Sequence, residues 1–396
     1  MRHDYEYLII GAGMTADAAA RGIREVDADG SIGIVGEEPD APVRRPALSK
    51  DLWTDADATL TDSTLDPAGA TGAEVHLGHL VTEIDPAARV ATSASGDEFG
   101  YARVLIATGG HPRHLDGLEP SDRVVYYRTV ADYRRVREAA QPGTHVVVVG
   151  GGYIGSEIAA ALAQNEVQVT MVFPEDHPGA GRFPTEIAEQ ITARYAEAGV
   201  QLRAGTGVDG GTVSGDGMRL DLDDGSTLDA DLVVIGLGLE PSTALAESAG
   251  LECSDDGGIV VDDHLRTSVP DVFAAGDVAS YIDPRLGRRR VEHEDNALTM
   301  GTAAGRALAG SDEPYAHTPM FYSDLFDLGY EAVGRMDPSL ETVVDQQGDG
   351  SVVYYLDGDR VVGVLLWNVW DAVDDAREVI ARGKRPDSFT GLIPFD

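Results

Sequence analysis

The sequence predicts an α/β protein in which one parallel-sheet domain occurs twice, the second copy set inside the first, with an antiparallel α+β domain at the carboxyl end. Three observations predict it. Two stretches read strand, glycine-rich turn, helix; a matching set of short strands follows each; and after residue 318 the pattern changes to short strands separated by turns. A length of 396 residues is enough for two or three such domains with a large buried core.

The first element is "YLIIGAGMTADAAARGI": an apolar strand, a turn carrying Gly11, Gly13 and Ala16, and an alanine-rich helix. The first small residue permits a tight turn, the second lets backbone approach a pyrophosphate, and the third lets the helix lie against the strand with its amino terminus facing the anion. Alone, the pattern also fits a plain strand-to-helix turn. "HVVVVGGGYIGSEIAAALAQ" repeats it with Gly150, Gly152 and Gly155. Each copy then reaches a second strand followed by an acid, Glu37 after "SIGIVG" and Glu175 after "VQVTMVFP". Both lie slightly past the spacing of about 20 residues expected of an acid that hydrogen-bonds a ribose 2′-hydroxyl. Two Rossmann-like dinucleotide sites are implied.

The parallel continues downstream. "ARVATSASGDEFGYARVLIATGG" and "MRLDLDDGSTLDADLVVIGLGLEP" each read as a strand, a Gly-Asp or Asp-Gly turn, a second strand, and a return strand closing on glycine. Because "DVFAAGDVAS" comes only after the second copy ends, the expected division is 1–124 with 250–318, then 125–249, then 319–396. In the last part, "FYSDLF", "YEAVGRMD", "ETVVDQQ", "SVVYYL" and "VVGVLLWNV" read as strands, with a hairpin turn at Asp357-Gly358-Asp359-Arg360. A closing amphipathic helix places Ala372, Ala376, Val379 and Ile380 on one face.

Composition limits the function. Asp plus Glu is 68 against 30 for Lys plus Arg, a formal charge of −38. Such a surface repels nucleic acid phosphate and anionic lipid, and reads as the solvated acidic shell of a halophilic protein. Arg288, Arg289 and Arg290 form one cationic run, which reads as a local salt-bridged patch before a nucleic acid contact. Cys253 is the single cysteine, so intrachain disulfides and a CxxC redox pair are excluded. Its acidic loop, "GLECSDDGG", is expected to raise the thiol pKa by like charge. Disulfide-reductase and thiol-peroxidase chemistry, which need an activated thiolate, fall away. No His/Cys/Asp cluster has metal-ligand spacing, and no G-x-S-x-G elbow occurs. With no signal-like segment and no apolar run of about 18 residues, a cytoplasmic protein without a membrane span is expected.

The chain resembles the FAD- and pyridine-nucleotide-dependent oxidoreductases, and more narrowly the apoptosis-inducing factor flavoproteins. The general signatures are the two glycine loops, "VLIATGG", "LGLEP" and "VFAAGDVAS"; the narrower ones are "RRPALSKDLW", "GGGYIGSE", "LGRRRVEHEDNA", "FYSDLFDLGYEAVG" and "VVGVLLWNVWDAVDDAREVI". Ferredoxin-reductase relatives share the Arg-Pro-x-Leu-Ser-Lys run. The resemblance implies that Gly11, Gly13, Thr15 and Ala16 line the pyrophosphate of FAD and Glu37 its adenosine ribose. It places Arg45 and Lys50 towards the flavin, Thr108 and Arg113 at the outer part of the site, and Asp277 at the ribityl-pyrophosphate region. Glu292 and His293 would stand near flavin and nicotinamide, although His293 also reads as a satisfied structural histidine. Glu294 and Asn296 stand where animal members carry histidines, and Tyr322 where a tryptophan would flank the flavin. On the nicotinamide side the resemblance implies Gly152, Tyr153, Ile154, Gly155, Glu175 and Gly238, with Tyr153 either covering the flavin or simply packing.

Within that resemblance, Glu157 matches the acid that pairs with the motif lysine, Lys50. Hydride transfer to the flavin N5 leaves negative charge on the N1/O2 side of the ring, which a fixed cation stabilises while its acid partner keeps it placed and charged. Glu175 would repel a 2′-phosphate and "FPEDHP" offers no arginine to receive one, so NADH is favoured over NADPH. The expected function is an NADH oxidoreductase passing hydride to FAD and electrons to an unidentified acceptor: a ferredoxin-like protein, a quinone or dioxygen. The alternative is an NADH-responsive redox switch of the apoptosis-inducing factor type with slow turnover. The expected partners are NADH, that acceptor and a second copy of the chain, with no nucleic acid.

Overall fold

The structure, a computed structural model, describes residues 1–394. The described residues form two compact units: Met1–Arg44, Leu60–His111 and Glu240–Pro319 in the first, and Arg45–Thr59, Pro112–Leu239 and 320–394 in the second. Contacts therefore change unit near residues 112 and 240, upstream of the breaks expected near 124 and 250, and residues 320–394 group with 112–239.

In the first unit the strands run in the order Glu74–Leu77, Ile32–Gly36, Arg2–Ile10, Glu98–Ile106, Val90–Ser93, Val81–Asp85, with Val272–Ala274 also beside Glu98–Ile106. The central pairs are parallel, Ile9 standing opposite both Ile34 and Leu105. Ile9, Ile34 and Leu105 are fully buried, as strands covered on both faces require. Helices Met14–Arg24 and Glu294–Leu308 pack closely; a Cβ at Gly305 would sit 2.0 Å from the Ala19 carbonyl oxygen. That approach brings the two helices, distant in sequence, onto the sheet together.

The second unit repeats the plan with five parallel strands in the order Gln201–Arg203, Gln168–Val172, His145–Val149, Leu232–Ile235, Val124–Tyr126. The two copies differ where the sequence reads a second strand and a return strand. In the first, both are one continuous strand, Glu98–Ile106, pairing antiparallel with Val90–Ser93 at one end and parallel with Arg2–Ile10. In the second, Thr227–Ala230 stays in a three-stranded antiparallel sheet and Leu232–Ile235 joins the parallel one. Asp231 marks the division; its backbone N–H donates to the His145 carbonyl and its carboxylate accepts from the His145 N–H.

Residues 320–394 form an antiparallel sheet in the order Met320–Leu325, Leu328–Gly334, Arg360–Trp367, Gly350–Asp357, Glu341–Gln347. The hairpin closes at Asp357 opposite Arg360, as the Asp-Gly turn predicts. Helix Val373–Ala381 buries Ala376, Val379 and Ile380, with Ala372 as its N-cap residue.

Segment Arg45–Thr59, though flanked on both sides by first-unit residues, is held in the second unit by its own carbonyls. Leu48 O accepts from Trp53 Nε1 at 2.8 Å and from the Tyr127 hydroxyl at 2.5 Å. Trp53 O accepts from Asn165 Nδ2 at 3.0 Å, and the Trp53 ring meets Tyr133 edge-on at 5.6 Å with the Arg137 guanidinium 4.9 Å away. Those contacts aim Lys50 at helix Tyr153–Gln164.

Candidate functional site

The first glycine loop lies in the first unit. Gly11 has φ +112°, and a Cβ there would fall 2.1 Å from Ala107 O, so only glycine makes this turn. A Cβ on Gly13 would meet nothing within 4 Å, and helix Met14–Arg24 starts on Gly13 without a side-chain cap. The helix thus starts beside open space with no side chain satisfying its amino terminus, while the Ala16 and Asp17 N–H groups donate to Gly13 O. Thr15 is buried beneath Gly276, whose Cβ would lie 2.4 Å from Thr15 Oγ1, and Ala16 is buried against the sheet. Asp277 follows Gly276 in a short 3-10 turn, and Arg290 ties its carbonyl to Glu292, with Nη1 3.1 Å from Asp277 O and 2.6 Å from Glu292 Oε1. Thr108 Oγ1 donates to Ser242 O at 2.8 Å. Glu37 is exposed directly after strand Ile32–Gly36. His293 caps helix Glu294–Leu308 without a side-chain cap bond; Glu294 accepts from Arg44 at 3.0 Å, and Asn296 is buried between Val291 O and the Tyr315 hydroxyl. Asn296 is thus a packing residue.

The second loop reproduces the first. Gly150 has φ +113° with its Cβ position 2.5 Å from Gly236 O, and Gly155 has its own 2.1 Å from Gly150 O. Gly152 starts helix Tyr153–Gln164 without a side-chain cap, and a Cβ there would find only Arg182 Nη1 and Gly236 O, both at 3.9 Å. Gly152, Tyr153, Arg182, Phe183, Ser323 and Tyr330 line a small, partly enclosed pocket. Tyr153 is sandwiched there, with the Arg182 guanidinium 3.9 Å from its ring centre and Phe321 edge-on at 5.3 Å. Ile154 is exposed. Glu175 is exposed beyond the end of strand Gln168–Val172. Gly238 O accepts from the Arg113 N–H at 3.0 Å, bringing together two residues assigned to different nucleotides by resemblance.

Between the lysine segment, helix Tyr153–Gln164 and strand Met320–Leu325 lies a buried charge pair. Lys50 Nζ is 2.5 Å from Glu157 Oε1, and neither side chain is more than 9% exposed. Burial at this level disfavours both charges unless the carboxylate's remaining lone pairs are filled. They are filled: Ser323 Oγ donates to Oε1 at 2.6 Å and Ser49 Oγ to Oε2 at 2.6 Å. Lys50 Nζ also stands 3.3 Å from Ser323 Oγ and 5.0 Å from the Tyr322 ring centre. Arg45 Nη1 donates to Arg128 O at 2.8 Å. Next in the strand, the Asp324 carboxyl is pushed above the usual range, first by burial, with Lys50 opposing and Glu157 and Asp51 adding.

Sequence reasoning missed Ser49, Ser323, Asp324 and Arg182. Ser49 adjoins the motif lysine, which was a usable signal. Ser323 carries none beyond the strand's alternation, and Arg182 lies four residues beyond the arginine-free "FPEDHP". The Cys253 thiol is raised as expected, but chiefly by desolvation and only then by an acid, Glu247, outside its loop. Arg288 and Arg290 are engaged within their own unit, Arg288 Nη1 donating to Ser280 O at 2.5 Å. Among the described residues no helix is long and apolar enough to cross a membrane.

Residues 5–301 match the family described as pyridine nucleotide-disulphide oxidoreductase. Residues 304–347 and 344–382 match the C-terminal region of mitochondrion-associated apoptosis-inducing factor. An apoptosis-inducing factor 1, mitochondrial, of Drosophila melanogaster is 31% identical over 96% of the chain, which spans 64% of that protein's length. The ferredoxin–NAD(+) reductase component of the anthranilate 1,2-dioxygenase system of Burkholderia cepacia is 34% identical, over 96% of this chain and 95% of that one. Putidaredoxin reductase, in its covalent complex with putidaredoxin, superposes with a TM-score of 0.89 at 29% identity, over 96% of this chain and 93% of that one.

Proposed function

Since the chain belongs to the pyridine nucleotide-disulphide oxidoreductase family, as an NAD(P)H-dependent flavoprotein oxidoreductase that uses FAD and NAD(H), we propose that it is an NADH:acceptor oxidoreductase whose acceptor is a small ferredoxin-like protein. FAD, when bound, supplies a ring that accepts hydride and releases electrons singly or in pairs. What carries the reading is the Lys50–Glu157 pair: a buried cation held by Glu157 Oε1 and Ser323 Oγ, its acid partner filled by two serine hydroxyls, suits a site where negative charge develops on each turnover. In this reading residues 1–124 and 250–318 hold FAD through Gly11, Gly13, Thr15, Ala16, Glu37, Thr108, Asp277, Glu292 and His293, with Arg45, Arg113 and Tyr322 also on the flavin side. Residues 125–249 hold the nicotinamide nucleotide through Gly152, Tyr153, Ile154, Gly155, Glu175 and Gly238.

The exposed Glu175 carboxylate supports NADH over NADPH, since it would accept from a 2′-hydroxyl and repel a 2′-phosphate. Arg182 stacks on Tyr153 near Gly152, which suits a pyrophosphate partner better than a 2′-phosphate one. A single cysteine leaves no dithiol, so electrons leave without a disulfide step. The Burkholderia relative's ferredoxin–NAD(+) reductase role supports the acceptor. The acidic surface supports a protein adapted to high salt, where repulsion from an acidic carrier is screened. The lone thiol and the absence of disulfides support a cytoplasmic location.

Anaerobic stopped-flow mixing of the FAD-loaded protein with NADH, then with ferredoxin, quinone and dioxygen in turn, tests this. Flavin bleaching faster with NADH than NADPH, followed by fastest reoxidation with ferredoxin, is expected. Equal bleaching by both nucleotides, or a flavin that no acceptor reoxidises faster than dioxygen does, refutes it. In the second case, an oligomeric state that changes on NADH addition supports a redox switch instead.

A further inference from the structure

In the first unit, three side chains converge that nucleotide binding does not use. His3 lies in strand Arg2–Ile10, and Glu74 and His76 lie on one face of strand Glu74–Leu77. Glu74 Oε1 is 3.8 Å from His3 Nδ1 and 3.4 Å from His76 Nε2, and all three ligand atoms lie within 4.8 Å of one another. The rings are fixed from behind: His3 and His76 meet at 4.6 Å, and both pack on the buried Phe99, at 5.6 and 5.2 Å. Glu74 is 59% exposed and can rotate, whereas His76 is only 13% exposed.

We propose that His3, Glu74 and His76 form a binding site for a borderline divalent transition ion such as Zn²⁺. Two imidazoles and one carboxylate suit Zn²⁺ rather than Ca²⁺ or Mg²⁺, which take oxygen ligands. An ion bonds such donors at about 2.1 Å, so binding draws the imidazoles and the Glu74 carboxylate closer than they now stand. The Tyr5 hydroxyl, 2.6 Å from His76 Nε2, gives up that nitrogen to the ion and turns to the Glu74 carboxylate. His79 lies 6.1 Å from His76 ring to ring, and its buried Nδ1 has no hydrogen-bond partner among the described residues, leaving an acceptor or donor for an ion-bound water. Open positions remain on the solvent side, where Glu74 is exposed.

The site staples the first strand to the edge strand across Ile32–Gly36, whose Gly33 and Val35 stand opposite Glu74 and His76. An ion there stabilises the unit. The sequence showed no ligand spacing because His3 comes from a strand about 70 residues before the other two. A second trio, Asp262, Asp263 and His264, is adjacent in sequence and offers one imidazole where the first offers two.

The test is calorimetric titration of ZnCl₂ into untagged, FAD-loaded protein stripped with EDTA. One ion per chain is expected, with affinity reduced at least roughly tenfold by His76→Gln and by His3→Gln and unchanged by His264→Gln. Zn²⁺ raises the melting temperature of the parent and not of His76→Gln, while the bound-flavin spectrum stays the same in both. Glu74→Gln, at an exposed position, weakens binding without loss of fold. No saturable binding, or parent-like affinity in the His3→Gln/His76→Gln double variant, overturns the proposal.

Discussion

The Ser323 hydroxyl donates to Glu157 Oε1 over 2.6 Å, the oxygen that also holds the Lys50 ammonium. With Ser49 on the opposite oxygen, the carboxylate is surrounded by donors, and loss of either charged partner strands a buried charge. Lys50→Met and Glu157→Gln should each cost about 3–5 kcal/mol, and the double variant should cost less than the sum by roughly 0.5–3 kcal/mol. Ser323→Ala should cost about 1.5–3 kcal/mol. Urea unfolding of the flavin-loaded variants measures all four. Additive losses would show that the two charges do not depend on each other.

The same three segments make Asp324 a pH probe. Its carboxyl is raised by burial first, then by Glu157 and Asp51 against Lys50, so the folded protein keeps that proton to higher pH than the unfolded chain. Protons are then bound in excess by the folded state, and stability falls as pH rises from the ordinary carboxylate value near 3.9 through the folded one. Asp324→Asn should therefore stabilise the protein at about pH 7, and the gain should shrink as pH falls towards about 4. A difference between parent and variant that stays constant across pH would mean the carboxyl is not strained by its setting.

How far each feature could be read in the sequence follows from how local its cause is. Gly11 and Gly150 were legible because a turn with φ near +112° leaves a glycine at one position of a short motif. Glu175 and Glu37 were legible because each follows its own strand. The Lys50–Glu157 contact was legible only through resemblance, since 107 residues separate its partners. Ser323, His3 with His76, and the single strand Glu98–Ile106 were not legible: each depends on which segments the sheets bring side by side, which periodicity does not encode.

Charge predicts a salt response. At −38, like charges repel over a Debye length of about 10 Å at 0.1 M salt, which contracts to about 3 Å at 1 M. Raising KCl from 0.1 M to 2 M should lift the melting temperature by at least about 4 °C, equivalent to roughly 1–2 kcal/mol. Differential scanning fluorimetry on the flavin-loaded protein checks it. A flat or falling trend would show that the acidic surface does not limit stability.

The two glycine loops predict opposite kinds of failure. At Gly13 a methyl group finds nothing within 4 Å, so Gly13→Ala should leave the fold intact and obstruct only what approaches the helix start. FAD affinity should fall at least roughly tenfold with little change in the unfolding midpoint of the flavin-free protein. At Gly155 a methyl group would lie 2.1 Å from the Gly150 carbonyl oxygen, backbone that cannot yield without opening the turn. Gly155→Ala should therefore lower stability by about 1–3 kcal/mol and weaken NADH together with it, while FAD, bound by the other loop, is retained. Fluorescence titration of each nucleotide, paired with urea unfolding, separates the two. A Gly13→Ala variant that binds FAD normally would remove the pyrophosphate from that loop, and a Gly155→Ala variant as stable as the parent would show that the second turn is looser than its contacts require.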